Sequence, residues 1–168
     1  PTTAAWSFEG NQNQAYLGFY WQPAGDVNGD GFDDLITGAF GYDADIVDAG
    51  AAMVFYGSLD GYDPVEADWI TTGEVTLDRY GYAVSSAGDV NGDGFDDVLV
   101  GAYGFDSTEV LTHTNAGKLY LYYGGATGLA DEAAWTIEGP HVDAYLGFKV
   151  AAAGDVNGDG YADFAASA

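Results

Sequence analysis

Three tryptophans and three acidic loops recur in one register along this 168-residue chain. Trp6, Trp69 and Trp135 stand 63 and 66 residues apart, and Asp26, Asp89 and Asp155 repeat those two spacings. Each Trp therefore precedes its loop by 20 residues, and the three-residue difference falls after the loop. Gly38 to Gly50 spans 12 residues where Gly101 to Gly117 spans 16, and Gly57 to Trp69 spans 12 where Gly124 to Trp135 spans 11. Length that varies only between apolar runs marks surface connections. A repeat of this size is one supersecondary unit used several times, each copy covering its neighbour's apolar face.

Within the unit the apolar runs are short, rich in aromatic and β-branched residues, and bounded by Gly, Asp and Pro. AYLGFYWQPA (15–24), RYGYAVSSA (79–87) and AYLGFKVAAA (144–153) precede the loops; DLITGAF (34–40), DVLVGAY (97–103) and DFAASA (163–168) follow them. GAAMVFYG (50–57) and GKLYLYYG (117–124) come third, and AWSFEG (5–10), DWITTG (68–73) and AWTIEG (134–139) fourth. These predict strands with turns between, and no helical period is sustained. Four strands per unit of about 64 residues is the pattern of a propeller blade.

The expected fold is thus all-β: a β-propeller segment of about 2.6 four-stranded antiparallel blades, with the acidic loop between first and second strands. It divides into the last strand of a preceding blade (4–10) and repeats at 11–73, 74–139 and 140–168, the last one truncated. A sandwich with a duplicated hairpin is the alternative, but it does not require Trp, loop and Gly-aromatic strand in constant register. Eleven strands close no ring, and the chain opens on Pro1-Thr2-Thr3, so it reads as a piece of a longer protein. Open blade edges offer a route to self-association.

The loops read GDVNGDGFDD at 25–34 and 88–97, and GDVNGDGYAD at 154–163. Oxygen-bearing side chains at alternate places, then a glycine for the bend, are how a short loop wraps a hard cation such as calcium. The expected ligands are Asp26, Asn28, Asp30, the Phe32 carbonyl and Asp34; Asp89, Asn91, Asp93, the Phe95 carbonyl and Asp97; and Asp155, Asn157, Asp159, the Tyr161 carbonyl and Asp163. Ala162 replaces the eighth-place Asp in the third copy while Asp163 persists, which favours the ninth place as ligand and leaves Asp33 and Asp96 to solvent. Without a cation the converging carboxylates repel, and magnesium suits a loose oxygen cage poorly. Helical calcium loops need an acidic twelfth residue, where this chain has Thr37, Val100 and Ala166.

Composition narrows the rest. There are 27 acidic residues against 3 basic ones, a net charge of −24, which excludes nucleic acid and anionic membrane as partners. Cysteine is absent and no apolar run approaches the ~20 residues of a membrane span. No catalytic constellation is visible: His113 and His141 stand alone in expected loops, and no serine sits in a G-x-S-x-G elbow. The regular register of the Trp and Tyr residues favours packing between blades over carbohydrate stacking.

The unit resembles the FG-GAP repeat, the blade of the integrin alpha-subunit head and of many secreted bacterial proteins. Leu17-Gly18-Phe19, Tyr80-Gly81-Tyr82 and Leu146-Gly147-Phe148 stand in the FG place; Thr37-Gly38-Ala39-Phe40 and Val100-Gly101-Ala102-Tyr103 stand in the GAP place, with an aromatic for its proline. The resemblance implies a seven-bladed ring in integrin-like relatives; the location expected is extracellular or cell-surface, and with no catalytic constellation no enzymatic activity is expected. The resemblance also implies a protein or glycan partner on the face opposite the calcium loops, formed by 41–49, 104–116, 10–14, 74–78 and 140–143, with Tyr42, Asp43, His113 and His141. The function expected is adhesion, ligand binding or scaffolding. Alternatives are an accessory domain of a larger secreted hydrolase or phospholipase, and a protomer of an extracellular fibre.

Overall fold

A computed structural model describes residues 6–62, 66–107 and 114–168. Among these residues lie ten strands: β1 (Trp21–Gly25), β2 (Asp34–Ala39), β3 (Ala51–Phe55), β4 (Trp69–Thr72), β5 (Tyr80–Gly88), β6 (Asp97–Ala102), β7 (Lys118–Tyr122), β8 (Trp135–Glu138), β9 (Val150–Gly154) and β10 (Asp163–Ala166). They form two four-stranded sheets in simple sequence order and a two-stranded hairpin, every pair antiparallel. This is the expected propeller architecture, short of one strand. Residues 6–10 form none: a strand needs a hydrogen-bonding neighbour, and among the described residues no third strand lies beside them as β3 lies beside β4. Trp6 instead packs its ring edge-on against Trp21, Phe55 and Tyr62, with centroids 5.8, 5.2 and 5.6 Å away.

Alternation along the strands explains how the sheets stack. From β3, Ala52 and Val54 point into the core between the two sheets, while Ala51, Met53 and Phe55 point into the cluster on the other face. From β6, Val98 and Val100 face the first sheet, whereas Leu99 faces the β9–β10 hairpin. From β7, Tyr120 and Tyr122 join the inter-sheet core, and Leu119 and Leu121 join the cluster with Leu146, Val150 and Phe164. Period-two side chains that are apolar on both faces are the requirement for a sheet sandwiched between neighbours. No sheet is stable alone on that pattern; each is a wall for the next.

The glycines of the GAP place have a single physical reason. A Cβ on Gly38 would collide with the carbonyl of Gly81, and a Cβ on Gly101 with that of Gly147. Second-strand backbone of one sheet thus touches first-strand backbone of the next, which only a missing side chain permits. Inter-sheet hydrogen bonds follow, from Tyr80 N–H to the Ala49 carbonyl and from Leu146 N–H to the Ala116 carbonyl, both 3.0 Å. Among the described residues no helix is long and apolar enough to cross a membrane.

Candidate metal centres

Each acidic loop leaves the sheet through a β-bulge. Pairing shifts between Pro23 and Gly25, between Ser86 and Gly88, and between the partners of Asp163 and Phe164. Gly25, Gly88 and Gly154 sit there at φ of 82, 71 and 70°, the left-handed region a bulge of this kind demands. The chain then coils on itself. Asp26 Oδ1 accepts hydrogen bonds from Gly29 N–H (2.7 Å) and Asp30 N–H (3.1 Å), and its Oδ2 accepts one from Gly31 N–H (2.8 Å). Asn28 Oδ1 accepts from Asp30 N–H, and Asp30 Oδ1 from Phe32 N–H. The same five contacts recur on Asp89, Asn91 and Asp93, and on Asp155, Asn157 and Asp159. Three copies with one bond pattern are one motif, fixed by local sequence.

The ninth-place carboxylates are held by the sheets. Asp34 is buried at the start of β2, where Oδ2 accepts from Val27 N–H (2.9 Å) and Oδ1 from Gly57 N–H (2.8 Å). Asp97 repeats this with Val90 and Gly124, both 2.9 Å. Asp163 keeps the local half, accepting from Val156 N–H at 2.9 Å. Burial pushes the Asp34 carboxyl up to about 6 against two lowering N–H contacts, and the charges of Asp30 and Asp26 push the same way. Asp97 is likewise raised to about 6, first by burial and also by Asp93 and Asp89. In the exposed third loop the Asp155 carboxyl is instead held below the usual range, chiefly by Gly160 N–H.

The donor set is oxygen throughout, and each carboxylate, with about four lone-pair directions, keeps acceptor capacity beyond these amides. Among the described residues no three acidic or histidine side chains close by themselves on a common point; the expected ligand set also includes an Asn oxygen and a main-chain carbonyl. In chemical type and in mutual repulsion the residues fit a hard divalent cation.

Sequence reasoning missed the eighth place. Asp96 is not left to solvent: its Oδ2 accepts a hydrogen bond from Asp26 N–H in the neighbouring loop at 2.9 Å, and its own N–H donates to the Asp26 carbonyl at 3.1 Å. The partner lies 70 residues away, so nothing local could have announced it.

On the opposite face the expected loops meet. The Gln12 amide bridges to the main chain of Asp43, Leu77 N–H donates to the Asp48 carbonyl, and Asn115 Nδ2 donates to Asp143 Oδ1 at 2.9 Å. Tyr42 is half-buried, Asp43 and His141 are exposed, and His113 lies outside the described residues. An aromatic row joins these loops across all three blades. Phe19, Tyr82 and Phe148 follow the FG glycines, Phe40 and Tyr103 fill the GAP proline place, and Tyr82 lies 5.3 Å from Phe40 and 5.2 Å from Phe148. Phe19 is 54% and Phe148 41% exposed, so this row is surface as well as packing.

The FG-GAP repeat family matches residues 80–122 and 147–168, which contain β5 to β7 and the hairpin with its loop. The chain belongs to the FG-GAP, integrin-alpha propeller family. Its FG-GAP blades are 32% identical over 168 residues to integrin alpha-PS3 of Drosophila melanogaster, covering 96% of this chain and 14% of that protein. Integrin alpha-PS2 of the same organism is 34% identical over 174 residues, covering 95% and 12%. Integrin alpha-6 of Gallus gallus is 30% identical over 146 residues, covering 83% and 12%. The chain thus spans between about an eighth and a seventh of the length of these relatives.

Proposed function

We propose that this chain is a calcium-stabilised segment of an extracellular or cell-surface propeller that presents a ligand-binding face and does no chemistry of its own. The observation that carries the reading is the threefold oxygen loop, built on the same five hydrogen bonds at the exit of β1, β5 and β9. Asp26, Asn28, Asp30, the Phe32 carbonyl and Asp34 would hold one ion, with the matching residues of the second and third loops holding two more. Calcium would supply positive charge beside the carboxylates of each loop, whose charges oppose one another. The chain's own part is to pin each first strand to its second by that loop, which leaves the other face free for recognition. Likeness to integrin alpha subunits supports a protein as the ligand, on the face of the aromatic row and the joined loops.

A ligand bound only by the folded state at a hundredfold excess over Kd adds about 2.7 kcal/mol per site. Thermal unfolding in millimolar Ca2+ and in excess EDTA should therefore differ by several degrees or more. Coincident melts would overturn the calcium reading; a shift produced equally by Mg2+ would overturn its selectivity.

A further inference from the structure

The three loops are not separate devices. Asp96 grips Asp26 by both main-chain groups, accepting its N–H and donating to its carbonyl. Gly125 N–H donates to the Val27 carbonyl at 3.0 Å, one residue further along the first loop. The Phe95 ring, at the seventh place of the second loop, lies over Gly29 at the fourth place of the first, and the Tyr161 ring lies over Gly92 in the same way. Between the third and second loops half of the clamp survives: Ala162 N–H donates to the Asp89 carbonyl at 2.9 Å, but Ala162 has no carboxylate to receive Asp89 N–H. Gly88 leaves room there, since its added Cβ would meet only the Ala162 methyl.

Asp26 is the first residue of one candidate shell, and Asp96 adjoins Asp97, the last residue of the next. We propose that Asp96 is a positioning residue for the first loop and couples cation binding there to cation binding in the second; this rests on the loops being calcium sites. Ordering the second loop fixes Asp96, and a fixed Asp96 holds Asp26 in the conformation that the first loop needs. A second ligand then orders less chain, so its affinity rises without any shared contact. The second and third loops, lacking the carboxylate, couple more weakly.

The experiment is a Ca2+ titration of the metal-stripped chain followed by backbone amide NMR, with Gly31, Gly94 and Gly160 reporting the three loops separately. Asp96→Ala should weaken the midpoint at Gly31 by about fivefold or more, the lower end of ordinary coupling. Asp96→Asn keeps an acceptor for Asp26 N–H and should stay within about twofold, as should Asp33→Ala, whose carboxylate holds no neighbouring loop among the described residues. Ala162→Asp installs the missing acceptor and should tighten the midpoint at Gly94, which decides the matter even if Asp96→Ala fails to fold. Glycine amides that ignore Ca2+ in the unaltered chain would sink the calcium reading itself. Amides that titrate normally, with Gly31 indifferent to Asp96→Ala or Gly94 indifferent to Ala162→Asp, would overturn the coupling alone.

Discussion

The ring of Phe95 lies directly on the backbone of Gly29: a Cβ added to that glycine would stand 2.5 Å from Cε1 of the ring. The two residues belong to successive loops 66 positions apart, so a glycine chosen for its turn also seats the neighbouring blade. Gly31, two residues on, shares the left-handed backbone, at φ 89° against 75° for Gly29, but has no atom within 4 Å of its added Cβ. Gly31→Ala should then cost only the left-handed strain, about 1–2 kcal/mol, whereas Gly29→Ala should cost more because the ring must move as well. Urea midpoints measure both, and adding Phe95→Leu should return Gly29→Ala to the cost of Gly31→Ala. Equal costs in the Phe95 background and in its absence would show that the ring does not bear on the glycine.

Gly38 makes the complementary case. Its φ is not in the left-handed region, so alanine there carries no conformational strain, yet the added Cβ would run into the Gly81 carbonyl of the next sheet. Backbone cannot swing aside as a ring can. Gly38→Ala should therefore destabilise by about 3 kcal/mol, the upper end of the range for overpacked cores. A loss under ~1 kcal/mol would mean that the sheets can part freely at this point.

These glycines also show what was legible in the sequence. Strand positions could be read because both faces of each blade demand apolar residues in alternation, and the loop fold could be read because its hydrogen bonds stay within a few residues. The run at 5–10 misled for the converse reason: Trp6, Trp69 and Trp135 match as residues, but a strand is made by a neighbour, and β4 and β8 have one. The duty of Asp96 was hidden similarly, since Ala162 made the eighth place look dispensable when it marks a missing tie between blades. The aromatics after the FG glycines were legible as packing, but their exposure was not.

Lys118 is the buried cation of the junction between the first two sheets. Its Nζ pairs with the Glu74 carboxylate at 2.9 Å and sits over the rings of Phe105 and Tyr120, 4.6 and 5.0 Å from their centroids. The partners differ in exposure: the Lys118 side chain is 10% exposed and that of Glu74 50%. Removing the lysine leaves a carboxylate that water can reach, while removing the glutamate strands a charge inside. Glu74→Ala should thus cost about 1–3 kcal/mol, and Lys118→Met, which keeps the buried stem, under ~1 kcal/mol. Chemical denaturation of both variants checks this, and the reverse order would place the interaction's worth in the rings instead of the pair.

Asp78 lies beside this pair and gives the fold a pH dependence of known sign. It is fully buried, its Oδ2 accepts from Glu74 N–H (2.7 Å) and Val75 N–H (2.9 Å), and its Oδ1 has no hydrogen-bond partner among the described residues. Burial raises the carboxyl from 3.8 to about 6; the Glu74 charge adds to this, and the two N–H groups and Lys118 oppose it. The folded state thus holds the proton more tightly than the unfolded chain does. Stability from this group is full below about pH 4 and is lost as pH rises through about 6, with a difference of up to ~3 kcal/mol. Asp78→Asn keeps an acceptor for both amides but cannot ionise, so relative to the unaltered chain it should gain stability between pH 4 and pH 7. Urea unfolding of both proteins in chelator across that range isolates the effect, because Asp34 and Asp97, also raised to about 6, titrate in each. Parallel stability curves would mean that Asp78 keeps its charge in the folded protein at pH 7 without penalty, with water or Lys118 compensating its free oxygen.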